Sequence, residues 1–345
     1  MRTNPISRAR LAIAALVLLL LAGAISGGSG ISLASAPFPN GTLWHDVAQS
    51  AIPHTGNRDI VPARYRVVAA DEAALATLLR SAPLETAATG PRNSPAVITL
   101  PLPDGTFGRF SFVEAPIMAA PLAAQFPSIK TYLGQGLDDR TATVRFDRTQ
   151  FGFHALVLAP SGTVFIDPYQ RGDTTHYISY YKQDFIPNPG DLMIEEGIVQ
   201  SEIQNPKSKI QPPPSGPQLR TYRLALAATG EYTIYHGGTV AGAMAAINTS
   251  VNRVVGVYER EFSVRMVLVP NNADVVYTNP TTDPYTNNNG FAMLAQNQLT
   301  LDEFIGFDNY DIGHVFSTGG GGVAGLGVVC ATGQKARGVT GSSNP

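Results

Sequence analysis

The sequence predicts an α+β protein: a β-rich N-terminal region, a Pro-rich stretch, then a mixed α/β layer. Three observations lead there. Between Trp44 and about Asp184, short runs of alternating apolar and polar residues are separated by good turn chemistry. Between Pro187 and Gln218, prolines stand at 187, 189, 206, 212, 213, 214 and 217, a composition that resists packing. From Leu219 onward, strand-period and helix-period segments alternate.

The N-terminus carries a targeting signal. Arg2, Arg8 and Arg10 precede an uncharged Leu- and Ala-rich core from Leu11 to Ala24. Small residues at Ser32, Ala34 and Ala36 follow, so residues 1–34 are expected to be a secretory signal peptide, with Ala36 an alternative cleavage point. Its apolar core is shorter than the roughly 20 residues that span a bilayer. After cleavage no membrane attachment is expected, and a net charge of −2 gives no footprint for nucleic acid.

Residues 37–185 should form the β-rich domain. Val97–Leu100 and Thr106–Val113, joined through Pro103-Asp104-Gly105, read as a hairpin. Thr141–Phe146, Phe151–Leu158 and Thr163–Ile166 read as further strands, with turns at Asp147–Gln150 and Ala159–Gly162. Asp71 can cap a helix to Leu79, in which Leu75, Leu78 and Leu79 share a face. Residues 186–218 are expected to be the linker.

In residues 219–345, Tyr222, Leu224 and Leu226 alternate as in a strand. Thr239–Glu259 places Val240, Met244, Ile247, Val251, Val254 and Tyr258 at helical spacing. Phe262–Leu268 alternates again, Gln298–Ile305 suits a helix closed by Gly306, and Ile312–Phe316 suits a strand.

The candidate chemistry is sparse. None of the six histidines (45, 54, 154, 176, 236, 314) stands at the i, i+4 spacing of a zinc-binding helix, so His236 and His314 read as structural. Gly320–Gly325 satisfies G-x-G-x-x-G, but β-formers follow where a dinucleotide site needs a helix N-terminus. Gly333-Gln334-Lys335-Ala336 does not complete a P-loop. A better reading is a Gly-rich edge strand. Small side chains at 322, 324, 325 and 327 let a second backbone approach, so unpaired amides could take an extended peptide. The sole cysteine, Cys330, is either buried in a strand or lacks its disulfide partner.

The run Tyr310–Gly338, with Asp311-Ile312-Gly313-His314-Val315-Phe316 followed by Ala324-Gly325-Leu326-Gly327, resembles the segment just upstream of the zinc helix in reprolysin-like metzincin metallopeptidases. Ala228–Tyr232 and Ala245–Asn248 extend the likeness over about 219–345. The resemblance implies a secreted zinc endopeptidase in which Val323, Ala324, Gly325, Leu326 and Gly327 line the non-primed side of the substrate cleft. It implies an extended peptide or protein substrate. The defining H-E-x-x-H-x-x-G-x-x-H motif does not occur in this sequence. Residues 219–345 are therefore expected to be an incomplete catalytic domain, with no catalytic or metal-binding residue of its own, no specific cofactor, inactive alone and exposing apolar surface. The β-rich region, which has no cysteine to cap zinc, resembles the domain that precedes such catalytic domains. A non-catalytic peptide-binding or inhibitory module is the alternative.

Overall fold

The computed structural model describes residues 42–186 and 218–345, which form one compact unit. Residues 1–34, expected to be a signal peptide, and the Pro-rich stretch from Pro187 to Pro217 lie outside the described residues. Fold class is α+β, as the sequence predicts.

The first nine strands are β1 (Trp44–Asp46), β2 (Arg66–Ala70), β3 (Val97–Pro101), β4 (Phe107–Glu114), β5 (Lys130–Gly136), β6 (Thr143–Thr149), β7 (Gly152–Ala159), β8 (Gly162–Pro168) and β9 (His176–Tyr181). They make one antiparallel sheet in the order β1-β2-β9-β8-β7-β6-β5-β4-β3. The sheet curls until its edges meet through side chains. Trp44 Nε1 donates to Thr99 O at 2.7 Å and Ser179 Oγ donates to Pro101 O at 2.8 Å. Inside lies an aromatic core of Phe112, Tyr132, Phe146, Phe153 and Tyr177. Helix α1 (Glu72–Arg80), capped by Asp71 on Ala74 N–H, plugs it with Leu75 and Leu79.

The expected turn at Asp147–Gln150 is corrected. Asp147 and Arg148 stay in β6, paired with His154 and Phe153, and the chain reverses at Gln150-Phe151. Asp147 belongs to the outward face, and Arg148, on the opposite face, pairs with Glu72 of α1 at 2.8 Å, so neither marks a turn. Val144 and Phe146 point into the core, while Arg145 and Asp147 face the other way and are nevertheless 2% and 1% exposed.

What buries that outer face is the second half of the chain. A short helix α2 (Ala120–Gln125) precedes it. Strand β10 (Arg220–Ala228) leads through α3 (Gly230–Tyr235) into α4 (Val240–Phe262), then β11 (Val264–Leu268). Helix α5 (Gly290–Leu301) continues as a π turn to Gly306, and β12 (Ile312–Ser317), β13 (Gly321–Ala324) and β14 (Gly338–Gly341) complete a sheet in the order β11-β10-β12-β14-β13. All pairs are parallel except β13 with β14.

Strand β10 is buried on both faces. Leu224, Leu226 and Ala228 meet α4, and Ala225 and Ala227 meet α5. Small residues on the α5 side let that helix lie close; a Cβ on Gly313 of β12 would come within 2.6 Å of Leu301. On α4 the core line is Met244, Ile247, Val251 and Val255. Val254 and Tyr258, placed on that line by the sequence pattern, are 44% and 41% exposed. A spacing of four after Val251 keeps the line on the sheet, because 3.6 residues complete a turn.

Asn272 closes the sheet beyond β11. Its side chain accepts from Leu226 N–H at 2.7 Å and donates to Leu226 O at 2.9 Å, with no exposure to solvent. Replacing it with alanine orphans both main-chain groups. We expect Asn272→Ala to lower unfolding free energy by about 2–4 kcal/mol, measured by urea denaturation. An unchanged midpoint would show that the two groups find other partners.

Candidate functional site

The open edge of the second sheet is β13. Its register with β14 runs Gly321↔Gly341, Gly322↔Thr340, Val323↔Val339 and Ala324↔Gly338. One residue further, Gly325 N–H donates to Arg337 O at 2.9 Å. In an antiparallel ladder the bonded pairs alternate. Gly321, Val323 and Gly325 therefore bond inward to β14, and the N–H and C=O groups of Gly322 and Ala324 face outward.

Side chains at this edge are small. Val323 turns toward α5, where a Cβ on Gly290 would lie 3.1 Å from it, and Ala324 is exposed. Of the five residues singled out in the sequence, only Val323 and Ala324 are in the strand; Gly325 leaves it, and Leu326 and Gly327 form a turn. The strand instead begins two residues earlier, at Gly321. Gly327, at φ +69°, reverses the chain where a β-conformation would have continued the edge. Leu326 is 81% exposed at the tip. The β-forming run Val328-Val329-Cys330 is likewise a turn, held by Cys330 N–H on Asp311 O at 2.9 Å.

At this edge, strand β14 is the element that the sequence reading does not find. It is four residues long and contains two glycines, Gly338 and Gly341, so its period is unreadable. The glycines have a physical cause: a Cβ on Gly341 would stand 1.8 Å from Gly319 O, and one on Gly338 would stand 2.4 Å from His314 Nδ1.

The two other readings of the Gly-rich run fail on structure. No helix follows Gly325 to receive a pyrophosphate. Lys335 is buried, donates to Phe307 O and Tyr310 O, and lies over both rings. Its ammonium is a structural tie between loops.

The histidines are dispersed. His154 contacts Asp147 at 3.1 Å and His176 contacts Asp173 at 3.0 Å. His314 Nε2 lies 2.8 Å from Thr340 Oγ1, on the face of β12 that carries Phe316. His236 caps α3 and packs at a tilt against Tyr232, with ring centroids 4.5 Å apart. Burial pushes the pKa of both His236 and His314 down to about 4. Among the described residues no group of three or more His, Cys, Asp or Glu side chains could hold a metal ion. The described residues therefore do not fit zinc. What this edge can do is pair with an extended backbone. Cys330 is a free, exposed thiol with φ +59°, which removes the buried-strand alternative for it.

Two measurements follow from these placements. Above pH about 6.5 both imidazoles are neutral whether the chain is folded or not. As the pH falls from there through about 4, the unfolded chain takes up protons first, and stability drops across that window. A Tm series from pH 7.5 to 4.5 should fall, and His314→Asn should flatten part of the slope; a flat wild-type series contradicts the burial. Cys330 in the native protein should react with a chromogenic disulfide reagent about as fast as a small unstructured thiol. Protection released only by denaturant would contradict its placement.

Residues 218–345 match the family model described as metallo-peptidase family M12B, reprolysin-like. No curated protein gives a significant match. Among the described residues no helix is long and apolar enough to cross a membrane. The α/β layer ending in the β13 edge, residues 218–345, is thus the part of the chain that is similar to the reprolysin-like M12B metallopeptidases.

Proposed function

We propose that this chain supplies the substrate-holding part of a secreted zinc metalloendopeptidase of reprolysin type, with β13 as the edge that takes the peptide. The observation that carries the reading is the outward pair of main-chain groups on Gly322 and Ala324, at the edge of a layer that matches a peptidase family. A substrate strand added there gains up to four hydrogen bonds, each contributing roughly 0.5–1.5 kcal/mol. Its side chains alternate between the α5 face, beside Val323, and the face carrying His314 and Thr340. Leu326 and Gly327 bound the strand at one end.

On this proposal the metal and its general base come from outside the described residues, which offer no metal-holding group. Residues 1–345 by themselves bind zinc weakly and leave unfolded protein uncut. Secretion is supported by the basic and apolar pattern of residues 1–34. A second reading, a peptide-binding module without catalysis, draws on the same edge and on the absence of a metal-holding group among the described residues. Zinc content and chelator-sensitive proteolysis separate the two.

The edge itself is tested by removing one outward donor. Ala324→Pro deletes an N–H that faces away from β14 and leaves the inward ladder intact. Affinity for an extended apolar peptide should fall roughly fivefold to tenfold, one hydrogen bond's worth, with the Tm within about 2 °C of wild type. Unchanged affinity in a folded variant would take the peptide away from β13.

A further inference from the structure

The outer face of the first sheet and the second face of α4 are built for each other. Thr249, Asn252, Arg253, Gly256 and Glu259 recur along one line of the helix. Thr249 Oγ1 donates to Asp147 Oδ1 at 2.9 Å, and Asn252 Nδ2 donates to Phe146 O at 3.0 Å. Arg253 Nη2 donates to Asp167 Oδ1 at 2.5 Å, and Tyr180 OH holds the other oxygen of that carboxylate at 2.9 Å. Glu259 takes Arg145 at 2.5 and 3.0 Å and also takes Arg265 of β11, which in turn reaches Glu85 at 2.6 Å. At Gly256 a Cβ would lie 2.8 Å from Arg145 Cγ, so glycine is what lets the two surfaces close.

A second contact holds the sheet edge. Leu268 N–H donates to Ile117 O at 2.7 Å and Ala119 N–H donates to Leu268 O at 2.9 Å, a two-bond strand addition to β11. Around it Ile117, Met118, Leu122 and Ile129 share one apolar core with Leu224, Leu226, Val251 and Met266. The β11 edge is the far end of the sheet from β13.

We propose that residues 42–186 are a lasting non-covalent partner of residues 218–345, a clamp on α4 and the β11 edge that stays bound when the chain joining them is cut. Separation would open an apolar core shared by both halves and strip Arg145, Asp147 and Asp167 of their partners on α4. An interface of this kind, charged in its middle and apolar at its margin, resists dissociation by salt because its ion pairs are shielded from solvent. The clamp grips the side of the layer away from β13, so holding the fold and taking peptide use different edges. The proposal concerns assembly and is independent of what β13 binds.

The test cuts the full chain. A specific protease site is inserted between Gln200 and Ser201, the folded protein is cleaved, and the products are passed over a sizing column in 0.5 M NaCl. Both fragments should co-elute one to one at the volume of the intact chain. Elution as two separate folded species would overturn the proposal. In the same cut protein, Gly256→Leu should speed dissociation at least tenfold, and the milder Gly256→Ala should do so to a smaller degree. Val257→Ala, at a position exposed to solvent, should leave it unchanged. If neither Gly256 variant alters dissociation, α4 is not the gripped surface and the assignment fails.

Discussion

Glycine at position 256 lets helix α4 lie against β6 and β7 closely enough for Arg145 to reach Glu259. A glycine in mid-helix costs about 1 kcal/mol of helix propensity, and here that cost is offset by packing. The other side of α4, with Met244, Ile247, Val251 and Val255, fills the core over β10 and β11. One helix of 23 residues therefore has an apolar face for its own sheet and a polar face for the other. Ser263, at φ +53°, ends it abruptly and turns the chain straight into β11, so that Arg265 falls beside Glu259 and completes the ion network.

From that fixed helix the rest of the α/β layer is ordered outward. Parallel pairing of β10 with β11 and with β12 places α4 on one face and α5 on the other. β14 extends the parallel set and β13 returns antiparallel beside it, leaving its outer groups without a strand. The open β13 edge is thus the strand furthest from β11. Its glycines serve two ends: some admit close backbone neighbours, as Gly341 does beside Gly319, and others end the strand, as Gly327 does.

Much of this was legible in the residues. Leu75 and Leu79 marked α1, Met244 and Ile247 marked the buried side of α4, and Ile312–Phe316 marked β12, because each segment has a clear period. Composition marks the Gly-rich edge, but its expected bounds lie two residues late at the start and three at the end, since glycine has no side chain to carry a period. The polar outer face of β6 and β8 was not recognisable as an interface. Arg145, Asp147 and Asp167 alternate with apolar residues as solvent-facing positions do, and only the long-range placement of α4 reveals that they are buried. Strand β14 was invisible for the reason β13 was blurred: four residues, two of them glycine. The reprolysin-like assignment rested on flanking sequence around Asp311 and Leu326, and the family match falls on that same region.

Residue-resolved amide exchange on the full chain tests the central claim most directly, that α4 is locked between two sheets while β13 keeps a free edge. The outward amides of Gly322 and Ala324 should exchange orders of magnitude faster than the inward amide of Val323. Amides from Thr249 to Gly256 should exchange only through global unfolding. Slow exchange at Gly322 and Ala324 together with fast, local exchange along Thr249–Gly256 would contradict the account, placing the covered surface at the edge and the free one on the helix.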